Sequence, residues 1–275
     1  MNLLAIGAHP DDIEFGCSGT LMKYVEHGHR VYMMIASEGG MGGDTTVRRR
    51  EAERAAEMMG VEEILWGNYH DTEIRLEKAL IDDIEKAIET VQPAFTFIHH
   101  KEDTHQDHRA LAQAAISATR YVSNVLFYEG PTSNDFNPNV FVDISGRLER
   151  KLQVLTAYAS QAEKTNIPGL NILDIANAVA VSRGIQARTK HAEGFVSLRL
   201  FINVAKEGND SLRHTFLIHV PFSGGPSDRP STASSPPGNS LKVRKSKRSR
   251  VLWPRSWGES TLPLSNRARQ HCIWP

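Results

Sequence analysis

The sequence predicts an α/β domain with a mostly parallel sheet and helices on both faces, followed by a tail outside it. Three observations predict it. Short apolar runs bounded by turn residues alternate with amphipathic stretches from residue 3 to residue 204. The connections between them are short, as in sheets wound strand–helix–strand. Polar clusters follow the first and fourth apolar runs, and ligands of open α/β sheets bind outside the carboxyl ends of the strands.

Residues 3–8 form the first strand, apolar throughout and closed by Pro10. A strand buried on both faces has this pattern. Residues 17–26 carry Leu21, Tyr24 and Val25 at helical spacing, and Gly28 ends them. Residues 31–36 are the second strand, and 37–46 a glycine-rich loop. A helix over 48–59 is closed by Gly60, and a short strand spans 64–66. Residues 76–91 form an amphipathic helix that Pro93 stops. Strand 94–98, helix 107–121 and strand 124–128 follow. A strand at 139–143, helices at 148–159 and 170–188, and a closing strand at 195–204 complete a single Rossmann-like domain over 1–205.

The formal net charge of zero hides a split. Residues 1–205 hold 20 Lys and Arg against 28 Asp and Glu, whereas 206–275 hold 12 against 4. The first region is therefore −8 and the second +8. Eight of the 13 prolines lie in the shorter second region. Residues 223–239 are Ser, Pro and Gly with scattered charge, and 242–250 are basic. Such a segment buries too little apolar surface to offset ordering, so 206–275 is expected to be a disordered tail. Two cysteines, Cys17 and Cys272, build no disulfide framework. Cys17 is expected as a small buried residue at a helix start. No signal peptide and no apolar run of about 18 residues is visible, which makes a cytoplasmic protein with no membrane partner the expectation.

The chemistry lies in two stretches, Ala8-His9-Pro10-Asp11-Asp12-Ile13-Glu14 and His105-Gln106-Asp107-His108-Arg109. Together they supply two imidazoles and a carboxylate suited to a borderline cation such as Zn²⁺, with further groups left to move protons. Adjacent carboxylates repel, and a cation is the simplest reason to keep Asp11 and Asp12 near one site.

These stretches, with Gly39-Gly40 followed by Arg48 and Glu51, Asp135-Phe136-Asn137-Pro138 and His191-Ala192-Glu193-Gly194-Phe195, make the chain resemble the LmbE-like, or PIG-L-type, zinc-dependent N-acetylglucosaminyl deacetylases. The resemblance covers roughly residues 2–204. Gln106 stands where a proline is most often seen, at a position with no evident chemistry. The resemblance implies that His9, Asp12 and His108 bind Zn²⁺. Fe²⁺ suits the same donors. Asp11 matches the general base, and His105 the histidine that steadies the tetrahedral intermediate and passes a proton. Asp107 is expected to orient His105 or to cap the helix that follows it. Arg48 matches an arginine that contacts substrate, and His191 lies in a stretch that lines the site. Glu14 is expected to make a structural hydrogen bond near the metal loop, and His99 and His100 to be packing residues at a strand end. Chains of the family commonly end soon after the strand matching 195–204, so a frameshifted or read-through origin is one reading of 206–275.

The function expected is hydrolysis of the acetamide of an N-acetylglucosaminyl small molecule. Two alternatives are an amidase for a larger acyl group on a glucosaminyl conjugate and a non-catalytic sugar or nucleotide binder. The binder has no need for both Asp11 and His105. RNA attraction by 242–250 is a minor option beside an acidic body. The partner expected is therefore a small amino sugar, with a homo-oligomer left open.

Overall fold

A computed structural model describes residues 1–161, 165 and 167–202. The expected tail lies outside the described residues. The elements run β1 (Asn2–Gly7), α1 (Asp12–Glu26), β2 (Arg30–Ser37), a 3₁₀ turn (Gly40–Gly42), α2 (Thr45–Met59), β3 (Glu63–Tyr69), α3 (Lys78–Val91), β4 (Phe95–His99), α4 (Gln106–Ala118), β5 (Val125–Tyr128), β6 (Val140–Asp143), α5 (Leu148–Leu155), α6 (Ile172–Ala187) and β7 (Ala192–Arg199).

The strands form one sheet in the order β3-β2-β1-β4-β5-β7-β6. β1 through β5 are mutually parallel, while β7 runs antiparallel to both β5 and β6. Side chains alternate across the sheet as the period of two requires. Leu3 and Ala5 of β1 join one core with α1, α2 and Val154 of α5, whereas Leu4 and Ile6 join the opposite core with α3 and α4. Among the described residues no helix is long and apolar enough to cross a membrane.

The closing strand runs over Ala192–Arg199 rather than 195–204, and α5 ends at Leu155 rather than 159; two further differences bear on the site. α1 starts at Asp12 rather than at residue 17, so the sheet–helix turn is only a few residues long. Its early turns are not amphipathic: residues 12–22 are all buried, so no apolar stripe marks them. α2 starts three residues earlier than expected, because the Asp44 carboxylate accepts the Val47 N–H at 3.0 Å and caps the helix.

α1 lies close on the sheet. A Cβ built at Gly16 would sit 2.2 Å from Cδ2 of Tyr128, a fully buried ring whose hydroxyl donates to the Ile6 carbonyl at 2.9 Å. Alanine favours a helix over glycine by about 1 kcal/mol, but this overlap leaves the ring no room to yield. Gly16→Ala is therefore expected to destabilise by about 1–3 kcal/mol, read as a lower urea midpoint with an unchanged slope. A midpoint at or above the original would show that α1 is free to lift from the sheet.

Candidate metal centre

Strand order reverses between β1 and β4, the place at the carboxyl end of an open α/β sheet where ligands ordinarily bind. β1 delivers His9 to Asp12 there, and β4 delivers His99 to His108. The chain turns sharply after β1. Asp11 has φ 97° and ψ −23°, a left-handed conformation that costs a residue other than glycine on the order of 1–3 kcal/mol. The turn is closed by the His9 N–H, which donates to Asp12 Oδ2 at 2.7 Å.

Asp12 is the hub. Its Oδ2 lies 3.4 Å from His9 Nδ1, and its Oδ1 lies 3.3 Å from His108 Nε2. Each of those imidazoles turns its other nitrogen toward a further carboxylate. His9 Nε2 is 3.1 Å from Asp107 Oδ2 and 3.1 Å from Asp71 Oδ1. His108 Nδ1 is 3.3 Å from Asp103 Oδ2, an ion-pair distance without hydrogen-bond alignment. Asp103 is itself fixed by the His105 N–H at 2.8 Å, Thr132 Oγ1 at 2.7 Å and Ser133 Oγ at 3.1 Å. Asp71 accepts the Met41 N–H at 2.9 Å, and Asp107 the Thr72 N–H at 2.7 Å.

This arrangement favours positive charge. Burial lowers the affinity of His108 for a proton, but Asp12 and Asp103 outweigh it and lift the ring to about 9. Burial is likewise outweighed at His9 by Asp107, Asp12 and Asp71, which hold it well above the usual imidazole range. Burial would raise Asp71 and Asp103, yet the facing His9 ring beside Asp71 and the His108 ring beside Asp103 leave each at about 2. Asp12 is pulled well below the carboxylate range by His108 and His99 despite its burial. Asp11 goes the other way: burial and then the adjacent Asp12 push it to about 7 against the pull of Arg48.

A cation fits the donor set. Donors about 2.0–2.1 Å from a tetrahedral Zn²⁺ lie about 3.3–3.4 Å apart; Asp12 keeps that spacing to His9 through Oδ2 and to His108 through Oδ1, so a different oxygen meets each ring. Carboxylates behind both rings are what metal-bound histidines ordinarily carry. Among the described residues three overlapping groups bring their donor atoms within 4.8 Å of one another: His9, His105 and His108; Asp12, His99 and His108; and His9, Asp71 and Asp107; the expected set His9, Asp12 and His108 draws on the first two rather than forming a group of its own. His99 has its Nε2 engaged by the Ala8 N–H at 3.1 Å, which leaves that nitrogen poorly placed to bind an ion as well.

The expected site residues converge with some corrections. His9, Asp11, Asp12, His105, Asp107 and His108 lie together at the carboxyl end of the sheet. Asp107 neither orients His105 nor caps α4 with its side chain. The carboxylate turns to His9 and Thr72, and it is the Asp107 backbone N–H that donates to His105 Nδ1 at 3.2 Å. That bond makes Nδ1 an acceptor, so the neutral His105 ring carries its hydrogen on Nε2. Burial and the neighbouring His108 and His9 lower its proton affinity. Arg48 is buried against Gly39 and Gly42, and its Nη2 donates to the Pro10 carbonyl at 2.7 Å. The contacts of His191 are with Ser145 and Ile144 through its backbone, and none joins it to the cluster among the described residues. Glu14 does make a structural bond, accepting Tyr158 Oη at 2.6 Å in the core. His100 packs edge-on to Phe127 and Phe136. His99 is more than packing: it stacks on His108 at 4.0 Å and lies 3.2 Å from Asp12.

Comparison with known proteins places the fold and the family. Residues 4–119 match the PIG-L family profile, described as GlcNAc-PI de-N-acetylase. The uncharacterized deacetylase YaiS of Escherichia coli (strain K12) is 35% identical over 150 residues, spanning 52% of this chain and 81% of that protein. The structure of the N,N′-diacetylchitobiose deacetylase of Pyrococcus horikoshii, bound to its inhibitor, superposes with a TM-score of 0.62 at 25% identity, over 72% of this chain and 83% of that one. GalB, a 4-carboxy-2-hydroxymuconate hydratase of Pseudomonas putida, shares the fold with a TM-score of 0.63 at 22% identity, over 74% of this chain and 99% of that one. A hydratase on the same fold means that chemistry must be argued from the site. On the length and identity of these matches, and with the motif residues gathered at the switch point of the sheet, the chain belongs to the PIG-L, or LmbE-like, family of de-N-acetylases.

Proposed function

We propose that the protein is a metal-dependent N-deacetylase that hydrolyses the acetamide of an N-acetylglucosaminyl small molecule. In this reading His9, Asp12 and His108 hold Zn²⁺, or Fe²⁺ through the same donors. The observation that carries it is the single carboxylate of Asp12 set between two imidazoles at 3.4 and 3.3 Å, each ring backed by another carboxylate. The family description and the diacetylchitobiose deacetylase relative support the substrate class.

The bound ion would supply a Lewis acid that polarises the amide carbonyl and makes water a nucleophile near neutral pH. The residues supply the rest. Asp11 adjoins the proposed ligand Asp12 but faces Arg48, with its side chain 28% exposed. It takes the proton of the attacking water. His105 donates from Nε2 to the developing oxyanion. As the C–N bond breaks, the leaving nitrogen takes up the proton that water gave to Asp11, relayed through His105, and acetate departs. Asp71, Asp103 and Asp107 hold the two rings in register.

Chelator-treated protein reloaded with Zn²⁺ tests this reading, assayed for amine release across N-acetylglucosaminyl compounds. Amine release that follows zinc is expected. Full activity in the chelated protein, or no release from any such compound by the zinc-loaded protein, would contradict it.

A further inference from the structure

We infer that the buried pair Lys151–Glu193 is a positioning element: it enters the hydrogen-bond ladder of α1 and fixes the turn that carries Asp11 and Asp12. The inference rests on the reading of those two carboxylates as base and metal ligand. Lys151 comes from α5 and Glu193 from β7, and both side chains are 4% exposed. Lys151 Nζ lies 2.6 Å from Glu193 Oε1. In a regular helix the N–H groups of Gly19 and Thr20 go to the carbonyls of Phe15 and Gly16. Here Gly19 donates to Glu193 Oε1 at 2.9 Å and Thr20 to Oε2 at 2.7 Å. The Phe15 carbonyl accepts from Lys151 Nζ.

The signs suit the helix. A carboxylate meets N–H groups as at a helix N-terminus, and an ammonium meets a carbonyl as at a C-terminus. Glycine makes the approach possible, since a Cβ at Gly19 would lie 3.0 Å from Glu193 Oε1. The effect reaches the site through one residue. The Phe15 N–H donates to the Asp11 carbonyl at 2.9 Å, in the turn where Asp11 has φ 97°. Next to Phe15, Glu14 accepts Tyr158 Oη at 2.6 Å, and Tyr158 lies just past the end of α5. α5 thus braces the first turn of α1 at two points. Stability alone does not call for such a pair, because apolar side chains of the same volume often match or better a buried ion pair. What they lack is a donor for the Phe15 carbonyl and an acceptor for two helix N–H groups.

The test is the double variant Lys151→Met/Glu193→Gln, beside Lys151→Met alone and Val91→Ala. Val91 lies in the core on the opposite face of the sheet from α1. Each protein is measured where circular dichroism shows it fully folded. Lys151→Met alone leaves the Glu193 charge buried without its partner and should have the lowest Tm. The neutral double variant should recover most of that loss. Positioning should not recover with it. The double variant is expected to bind zinc about tenfold more weakly than the original chain, by competition with a chromophoric chelator. At saturating zinc it should turn over N,N′-diacetylchitobiose with kcat about tenfold lower and KM within about twofold. Val91→Ala should leave zinc affinity and kcat within about twofold, whatever its Tm.

If the double variant keeps zinc affinity and kcat within about twofold, or loses no more of them than Val91→Ala does, the pair serves stability alone and the inference is overturned. A KM raised about tenfold with kcat retained would overturn it too, by making the pair a substrate contact. If neither Lys151 variant folds, Glu193→Gln alone is read by the same measures. The zinc titration needs no substrate, so it judges the pair even where no N-acetylglucosaminyl compound releases amine.

Discussion

Replacing His9, Asp12 or His108 by alanine is expected to abolish amine release and to leave the purified protein with little bound zinc. Three protein ligands are the minimum that a catalytic zinc site uses. Asp12 should be the most sensitive of the three, because it lies between both rings and also closes the turn through the His9 N–H. The carboxylates behind the rings define a second tier. Asp71→Asn and Asp103→Asn remove partners of His9 and His108 without removing a proposed ligand. Each is expected to weaken zinc affinity by about 10–100-fold, measured by competition with a chromophoric chelator. Full zinc occupancy in all three alanine variants would sink the ligand set. Unchanged affinity in both asparagine variants would make the outer carboxylates mere packing.

Asp11→Asn is expected to keep its zinc and lose turnover by about 10²–10⁴-fold, the usual worth of a positioned base. The amide is nearly isosteric, tolerates the same left-handed backbone, and can still face Arg48. What it lacks is a site for the proton of the attacking water. The comparison with Asp12→Asn decides which carboxylate does what. Loss of metal in Asp11→Asn, with retention in Asp12→Asn, would mean that the roles are reversed.

The parts of this account that were legible in the sequence share a physical cause. Strands buried on both faces read as apolar runs, and the polar residues just beyond such runs are forced to the sheet's carboxyl edge. His9–Asp12 and His105–His108 are therefore legible in the sequence as neighbours at that edge. The direction of β7 was not legible, because side-chain periodicity is the same in parallel and antiparallel strands. Nor was the start of α1: the helix is buried on all sides there and follows a left-handed residue that no pattern marks. Asp71, Asp103 and His99 were missed as site residues because each is brought in by a loop or strand end rather than by either motif. The signal that existed for them was position after an apolar run, as with His99, or a lone carboxylate in a loop between a strand and a helix, as with Asp71 and Asp103. The orientation of Asp107 depends on Thr72, more than thirty residues away, whose N–H captures the carboxylate. Arg48 was found by its motif, but its burial under Gly39 and Gly42 is a tertiary fact that spacing alone does not show.

The most direct test of the proposed metal centre is the zinc content of two variants purified side by side, His9→Ala and His99→Phe. Both histidines lie within 3.4 Å of Asp12, and both stand beside His108. Phenylalanine keeps the stack on His108 while removing the imidazole nitrogens. If His9, Asp12 and His108 hold the ion, His99→Phe retains close to one zinc per chain and His9→Ala retains almost none. The opposite pattern, with zinc lost from His99→Phe and kept by His9→Ala, would contradict that assignment and place the ion on Asp12, His99 and His108.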